Sequence, residues 1–79
     1  MAISIQVPSL GSGFAERFRI TRWHAAPRQK IAIGEILVTM ESKDAVFEME
    51  AFDPGELEIL VPEGKFVSVG ETIAILHEA

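Results

Sequence analysis

A pattern that recurs after thirty-six positions constrains the fold of this chain more than any other feature. Ile31-Ala32-Ile33-Gly34-Glu35 returns as Val67-Ser68-Val69-Gly70-Glu71, and apolar residues after each Gly-Glu pair fall at matching positions. Two copies of one short pattern predict two similar halves that bury their apolar faces against each other. We therefore expect approximate two-fold symmetry, with the first half ending in a turn at Lys43 and the two chain termini lying together.

Short stretches of alternating apolar and polar residues run along the chain. A period of two is typical of strands with one buried face, and no stretch keeps the apolar spacing of a helix over three turns. The predicted fold class is all-β: a flattened β-barrel or sandwich of two four-stranded sheets with quasi-two-fold symmetry. The predicted core consists of apolar residues that recur in both halves: Ile31, Leu37, Leu57, Ile59, Val67 and Ile73.

The composition limits the class of protein. Seventy-nine residues suit one domain, residues 1–79. The chain has no cysteine and a formal net charge of −5. Thiolate metal sites are therefore excluded, and nucleic acid is an unsuitable partner because phosphate binding requires clustered Lys and Arg. Since no apolar run approaches the length of a membrane span, we expect a soluble intracellular protein without a membrane partner.

The segment 38–50 predicts a β-hairpin with a lysine at its tip. Apolar and polar residues alternate on both arms, and Ser42-Lys43-Asp44 forms the turn between them. Ser and Asp side chains hydrogen-bond nearby backbone groups, which stabilises a turn that lacks Gly and Pro. We expect Lys43 to be exposed there, either as an ordinary solubilising side chain or as a functional one.

The acidic residues of this hairpin allow two interpretations. Four carboxylates lie along the hairpin: Glu41, Asp44, Glu48 and Glu50. They either discourage edge pairing or steer the tip towards basic partner surfaces.

Four of the seven basic residues lie close together in sequence: Arg17, Arg19, Arg22 and Arg28. We expect these arginines to be solvated side chains paired with glutamates, the alternative being a contact site for an acidic partner.

The sequence contains no pattern typical of a catalytic or metal site. His24 and His77 are far apart, and neither is accompanied by a Ser, Asp or Cys arrangement suited to nucleophilic catalysis. His and carboxylate residues also lack the spacing of metal ligands. We therefore expect no catalytic residue and no bound metal.

Several segments, taken together, are specific in their order and spacing. These segments are Pro8-Ser9-Leu10-Gly11, Ile20-Thr21-Arg22-Trp23, 31–37, Met40-Glu41-Ser42-Lys43-Asp44-Ala45, Glu48, Gly55, 57–64 and 67–75. They resemble the lipoyl domains of the biotinyl/lipoyl carrier family, and the resemblance covers nearly the whole chain. The hairpin segment is similar to the Glu-Ser-Asp-Lys-Ala motif that carries the lipoyl lysine in that family.

The resemblance implies a carrier domain of a dihydrolipoamide acyltransferase, with no catalysis of its own. It implies lipoate as the cofactor, attached through an amide to Lys43. The dithiolane of such a swinging arm accepts an acyl group together with two electrons and delivers the acyl group to coenzyme A. The implied partners are the other components of a 2-oxo acid dehydrogenase complex and a lipoate ligase or lipoyl transferase. The implied location is cytoplasmic, or the mitochondrial matrix in a eukaryote.

Two positions depart from the family pattern. The family's lysine aligns with Asp44, and the lysine of this chain is one position earlier, at Lys43. This inversion leaves two alternatives open beside the lipoyl carrier: an unmodified lipoyl-like scaffold that acts as an interaction module, and a biotinyl carrier domain. The second departure is Arg28, where the family usually has Gly in a turn. It predicts a turn of different shape within the same fold.

Overall fold

The chain forms eight β-strands in a computed structural model that describes residues 1–11, 13 and 15–78. The strands are β1 (Ala2–Gln6), β2 (Arg17–Trp23), β3 (Lys30–Ile31), β4 (Ile36–Glu41), β5 (Val46–Glu50), β6 (Gly55–Ile59), β7 (Phe66–Ser68) and β8 (Thr72–His77). No helix long and apolar enough to cross a membrane occurs in the described ranges.

The strands form two antiparallel sheets of four. The first sheet has the order β1-β8-β6-β3 and the second the order β5-β4-β2-β7. The molecule measures 38 × 22 × 18 Å along its principal axes. The two sheets form a flattened sandwich that is not closed into a barrel. The prediction of an all-β fold with two four-stranded sheets is confirmed.

The two sheets are related strand for strand by the sequence repeat. β4 and β8 lie thirty-six residues apart and occupy the same place in their sheets. β1 and β5 also occupy matching places, each at the edge beside β8 or β4. Equivalent hydrogen bonds follow: Gly34 N donates to Ala51 O at 2.8 Å, and Gly70 N donates to Val7 O at 2.9 Å. The predicted two-fold symmetry is therefore present in the backbone.

The two halves exchange their edge strands. β3 comes from the first half but pairs with β6 of the second, whereas β7 comes from the second half and pairs with β2 of the first. The other edges follow the same rule, since β1 of the first half flanks β8 and β5 of the second half flanks β4, so both edge strands of each sheet come from the other half. Neither half can therefore form its four-stranded sheet alone.

The repeated Gly-Glu pair has a structural reason. Gly34 and Gly70 have φ values of 90° and 88°, a conformation that other residues adopt only with strain. The glutamate that follows hydrogen-bonds back across its turn, since Glu35 Oε1 accepts from Ala32 N at 2.9 Å and Glu71 Oε1 accepts from Ser68 N at 3.0 Å. Each pair thus stabilises the turn before β4 or β8.

The chain termini lie together, as predicted. Glu78 N donates to Met1 O at 3.0 Å. The equivalent bond in the first half is the one from Ser42 N to Ala45 O, at 2.8 Å. The paired termini are thus the counterpart of the hairpin turn that contains Lys43.

The core lies between the sheets and agrees with the prediction at five of six positions. Buried apolar residues include Ile31, Leu37, Leu57, Val67 and Ile73. The sixth, Ile59, is only half-buried and packs against the core from its margin, because it is the last residue of β6. The predicted burial of Ile59 is therefore wrong.

The turn at Arg28 also differs from the prediction. Arg28 has a φ of 69°, and its counterpart Gly64 has a φ of 89°. The turn is closed by a hydrogen bond from Gln29 N to Ala26 O at 3.1 Å. Pro27 and Arg28 therefore occupy the central positions of a type II turn, the turn that normally takes Gly at its third residue. Arg28 adopts the glycine conformation, and the predicted change of turn shape is wrong.

Candidate functional site at the hairpin tip

The hairpin of β4 and β5 is anchored to the core through one face. Met40 lies opposite Phe47 and Val38 opposite Met49, with Val38 and Met40 fully buried. The Phe47 ring meets that of Phe18 edge to face, with centroids 5.1 Å apart. Because these contacts lie within a few residues of the turn, the tip projects from a well-packed base.

The turn itself is ordered by Ser42. Asp44 N and Ala45 N both donate to Ser42 Oγ at 3.2 Å, and Ser42 N donates to Ala45 O. In the described chain only Arg28 among non-glycine residues has a positive φ, so both central residues of this turn have negative φ. Lys43 is the first central residue and Asp44 the second, and both side chains are exposed.

The predicted carboxylates are distributed along the length of the hairpin. Asp44 lies in the turn, and Glu41 lies beside it, with Oε1 3.9 Å from Arg19 Nη2. Glu48 is in the middle of β5, with Oε2 3.8 Å from His24 Nε2. Glu50 is opposite Ile36 at the far end. The acidic character of the tip itself therefore comes from Glu41 and Asp44.

The four arginines are distributed over β2 and the turn that follows it. Arg17 and Arg19 lie on β2 beside β7, and the Arg17 guanidinium lies 5.2 Å from the centre of the Phe66 ring. The backbone of Arg28 contacts β6 in the other sheet, where its N donates to Leu57 O at 2.7 Å. The expected pairing with glutamates is present at Arg19, whose Nη2 lies 3.9 Å from Glu41 Oε1.

The histidines lie in separate parts of the fold, His24 directly after β2 and His77 at the end of β8. His24 Nε2 lies 2.6 Å from Thr39 Oγ1 and uses the same nitrogen to approach Glu48. A hydroxyl–imidazole–carboxylate relay requires both ring nitrogens, so this trio is not arranged as one. His77 Nε2 forms a 2.6 Å contact with Glu58 Oε1. In the described residues no three His, Cys, Asp or Glu side chains cluster as metal ligands.

The chemistry available at the tip is that of an exposed primary amine on a rigid turn. A lysine amine is a nucleophile towards activated carboxyl groups and forms an amide with them. The position of Lys43 beyond the packed base leaves room for a covalent arm to extend into solvent. Sequence reasoning located this residue from the period-two pattern of the hairpin arms and the polar turn between them.

Comparison with known proteins agrees with this geometry. The profile of the biotin/lipoyl family, described as biotin-requiring enzyme, matches residues 3–76. The solved lipoyl domain of the 2-oxoglutarate dehydrogenase complex from Azotobacter vinelandii superimposes with a TM-score of 0.78 at 28% identity, covering 96% of each chain.

Curated relatives include acetyltransferase components of pyruvate dehydrogenase complexes. The chain is 33% identical over 81 residues to the dihydrolipoyllysine-residue acetyltransferase component from Zymomonas mobilis, which covers 100% of this chain and 18% of the relative. It is 41% identical over 76 residues to the mitochondrial component 3 of Arabidopsis thaliana, covering 94% of this chain and 14% of that protein. The chain thus spans less than one fifth of the length of these relatives.

The fold, the exposed lysine turn and these similarities agree with one another. The lipoyl domain from Azotobacter vinelandii matches along almost the entire chain, and so does the family profile. The chain therefore belongs to the biotinyl/lipoyl carrier family, and it has the fold of a lipoyl domain.

Proposed function

We propose that residues 1–79 are a lipoyl carrier domain of a dihydrolipoamide acyltransferase, with lipoate attached to Lys43. The observation that carries the proposal is the exposed position of Lys43 in the two-residue turn between β4 and β5. Of the other two lysines, Lys30 is in β3 and Lys65 directly precedes β7. Only Lys43 is held at a hairpin tip.

The attached group supplies acyl and electron transfer through its dithiolane, and the chain supplies attachment, position and recognition. The Lys43 amine forms the amide with the carboxyl group of lipoate. Ser42 holds the turn in one geometry through its two backbone hydrogen bonds. The packed base of Val38, Met40 and Phe47 keeps the tip in a fixed relation to surfaces that partner enzymes recognise.

The partners in this proposal are the components of a 2-oxo acid dehydrogenase complex and a lipoate ligase or lipoyl transferase. Relatives are acetyltransferase components of pyruvate dehydrogenase complexes, and the similar solved structure is from a 2-oxoglutarate dehydrogenase complex. The location that follows is the cytoplasm, or the mitochondrial matrix in a eukaryotic host.

The experiment is lipoylation in vitro, followed by intact mass and peptide mapping. The chain is incubated with lipoate, ATP and a lipoate ligase, beside a Lys43→Gln variant and the exchange variant Lys43→Asp with Asp44→Lys. We expect one lipoyl group on Lys43 of the natural chain and none on Lys43→Gln. Biotin with a biotin ligase serves as the parallel incubation, and a biotinyl group in place of the lipoyl group would assign the biotinyl role.

The exchange variant decides how strictly the turn is recognised. It moves the amine to the position of the family's lysine and leaves the core untouched, so its stability should match that of the natural chain. Equal modification of both chains is expected if the turn is accepted in either register. An unmodified natural chain beside a modified exchange variant would overturn the assignment to Lys43 and favour an unmodified interaction module. Modification of Lys30 or Lys65 would also contradict it.

A further inference from the structure

The end of the β4–β5 hairpin remote from Lys43 exposes an apolar surface. Ile33 is 67% exposed, Ile36 40% and Phe52 77%. Gly34 N donates to Ala51 O, so the turn that carries Ile33 lies against the segment that leads into Phe52. Monomeric proteins seldom expose large apolar side chains side by side, and such clusters usually mark contact sites.

This surface includes an open groove with an acidic border. The groove is lined by Pro8, Ile36, Glu48, Met49, Glu50 and Phe52. Ile36 and Glu50 are directly opposite each other on neighbouring strands, so an apolar floor and a carboxylate lie side by side. The groove therefore combines apolar contact area with negative charge.

The internal symmetry shows that the fold does not require these apolar residues. Ile36 and Thr72 are the first residues of the equivalent strands β4 and β8, and Thr72 serves there as a half-buried polar residue. Ala51 and Val7 accept equivalent hydrogen bonds, so the counterpart of Phe52 is Pro8. The same backbone is thus built in the other half without an exposed aromatic ring.

Phe66, the other largely exposed aromatic residue in the described part of the chain, has a different environment. Its ring faces the Arg17 guanidinium at 5.2 Å, a distance at which a cation is attracted to the ring face. A ligand reaching Phe66 would meet positive charge from Arg17 and Arg19. A ligand reaching Phe52 would meet the carboxylates of Glu48 and Glu50.

We propose that the groove between Ile36 and Phe52 is a docking surface for a basic, amphipathic protein segment. An apolar side chain of the partner packs on Ile36 and Phe52, and flanking Lys or Arg side chains pair with Glu48 and Glu50. Ile36 lies five residues from Glu41, about 17 Å at ~3.3 Å per residue. A partner bound there leaves Lys43 and its turn free.

The test is an NMR titration of the folded chain with defined peptides. The probe is acetyl-Lys-Lys-Leu-Phe-Lys-Lys-amide, and the matched peptide replaces Leu-Phe with Ser-Ser at the same charge. We expect amide shifts centred on Ile36, Met49, Glu50 and Phe52, with the Ser-Ser peptide binding about tenfold more weakly. Added salt should weaken binding, because the charged border is exposed to solvent.

Two surface variants provide the matched comparison. Phe52→Ser should weaken binding of the Leu-Phe peptide about tenfold, whereas Phe66→Ser should change it less than about twofold. Both rings are largely exposed, so the thermal midpoints should stay close to that of the natural chain. Shifts centred elsewhere, equal binding of the two peptides, equal loss in the two variants, or no shifts at millimolar peptide would overturn the proposal.

Discussion

At the scale of single residues, Arg28 shows how a turn can keep its shape without the residue that favours it. Its φ of 69° is close to the 89° of Gly64 at the equivalent turn. A left-handed conformation costs a residue with a Cβ about 1–2 kcal/mol. Arg28 takes part in none of the ion pairs found in the described ranges. Backbone hydrogen bonds from Arg28 N to Leu57 O and from Gln29 N to Ala26 O, and not an ion pair, hold this conformation.

Arg28→Gly should stabilise the chain. Removal of the left-handed strain outweighs the greater freedom of Gly in the unfolded chain, so the free energy of unfolding should rise by about 0.5–1 kcal/mol. Denaturant unfolding measures the change. Gly64→Ala is the matched control. It introduces the left-handed strain that Arg28→Gly removes, so its free energy of unfolding should fall by about 1 kcal/mol. A loss of stability in Arg28→Gly would mean that the guanidinium contributes more than the strain costs.

Leu37→Ala should remove a large share of the stability. Leu37 has no exposed surface, so its truncation leaves a cavity and should lower the free energy of unfolding by about 2–4 kcal/mol. Leu60, which is 44% exposed, is the matched control, and Leu60→Ala should cost less than about 1 kcal/mol. A loss below about 0.5 kcal/mol for Leu37→Ala would contradict its position in the core.

At the scale of elements, the lysine hairpin depends on two different kinds of interaction. The arms are held by apolar packing of alternate residues, such as Met40 and Phe47, which lie opposite each other. The turn is held by polar contacts, since Ser42 Oγ accepts from two backbone N–H groups. Packing therefore positions the tip, and Ser42 sets its local geometry.

Ser42→Ala should loosen the tip without unfolding the domain. Asp44 N and Ala45 N lose their acceptor but can bond to water, so the loss of stability should be about 0.5–1 kcal/mol. Hydrogen exchange should become faster at these two amides, while the Val38 and Met40 amides keep their protection. Ser9→Ala is the matched control, because Ser9 Oγ accepts a hydrogen bond from Gly11 N in an exposed loop. Unchanged exchange at Asp44 and Ala45 would contradict the role given to Ser42.

At the scale of the whole molecule, the exchanged strands and the paired termini combine the halves into one unit. β3 and β7 each complete the sheet of the other half, so apolar burial in one half depends on the other. The Glu78–Met1 hydrogen bond repeats the Ser42–Ala45 bond of the hairpin. The break between the termini thus occupies the place of a second two-residue turn.

Joining Glu78 to Met1 through a Lys-Asp turn should give a stable cyclic protein. Closure lowers the entropy of the unfolded chain, and the free energy of unfolding should rise by about 2–4 kcal/mol. The midpoint of thermal unfolding measures the effect. A linear chain that ends at Glu78 and carries the same two extra residues is the control. No increase in the midpoint would show that the ends must separate or strain to be joined.

The all-β class, the two-fold arrangement and the tip position of Lys43 could be predicted from the sequence because each depends on local pattern. Period-two alternation reports one buried face per strand. The Gly-Glu repeat indicates two turns, in which Gly34 and Gly70 have positive φ. Ser42 and Asp44 are residues that favour turns. Each of these patterns involves only a few neighbouring residues, so it can be interpreted without knowing which strands pair.

The tertiary structure alone decided which strands share a sheet. Strand alternation is the same whichever neighbour a strand takes, so nothing local indicated that β3 and β7 would exchange. Other features also depend on how the strands are arranged: Arg17 lies on β2 in one sheet, the backbone of Arg28 bonds to β6 in the other, and Pro8 and Phe52 line one groove. Arg28 takes the conformation of glycine because the contacts of its turn with β6 outweigh its own preference. These features depend on the sum of long-range contacts, which cannot be inferred from any short stretch of sequence.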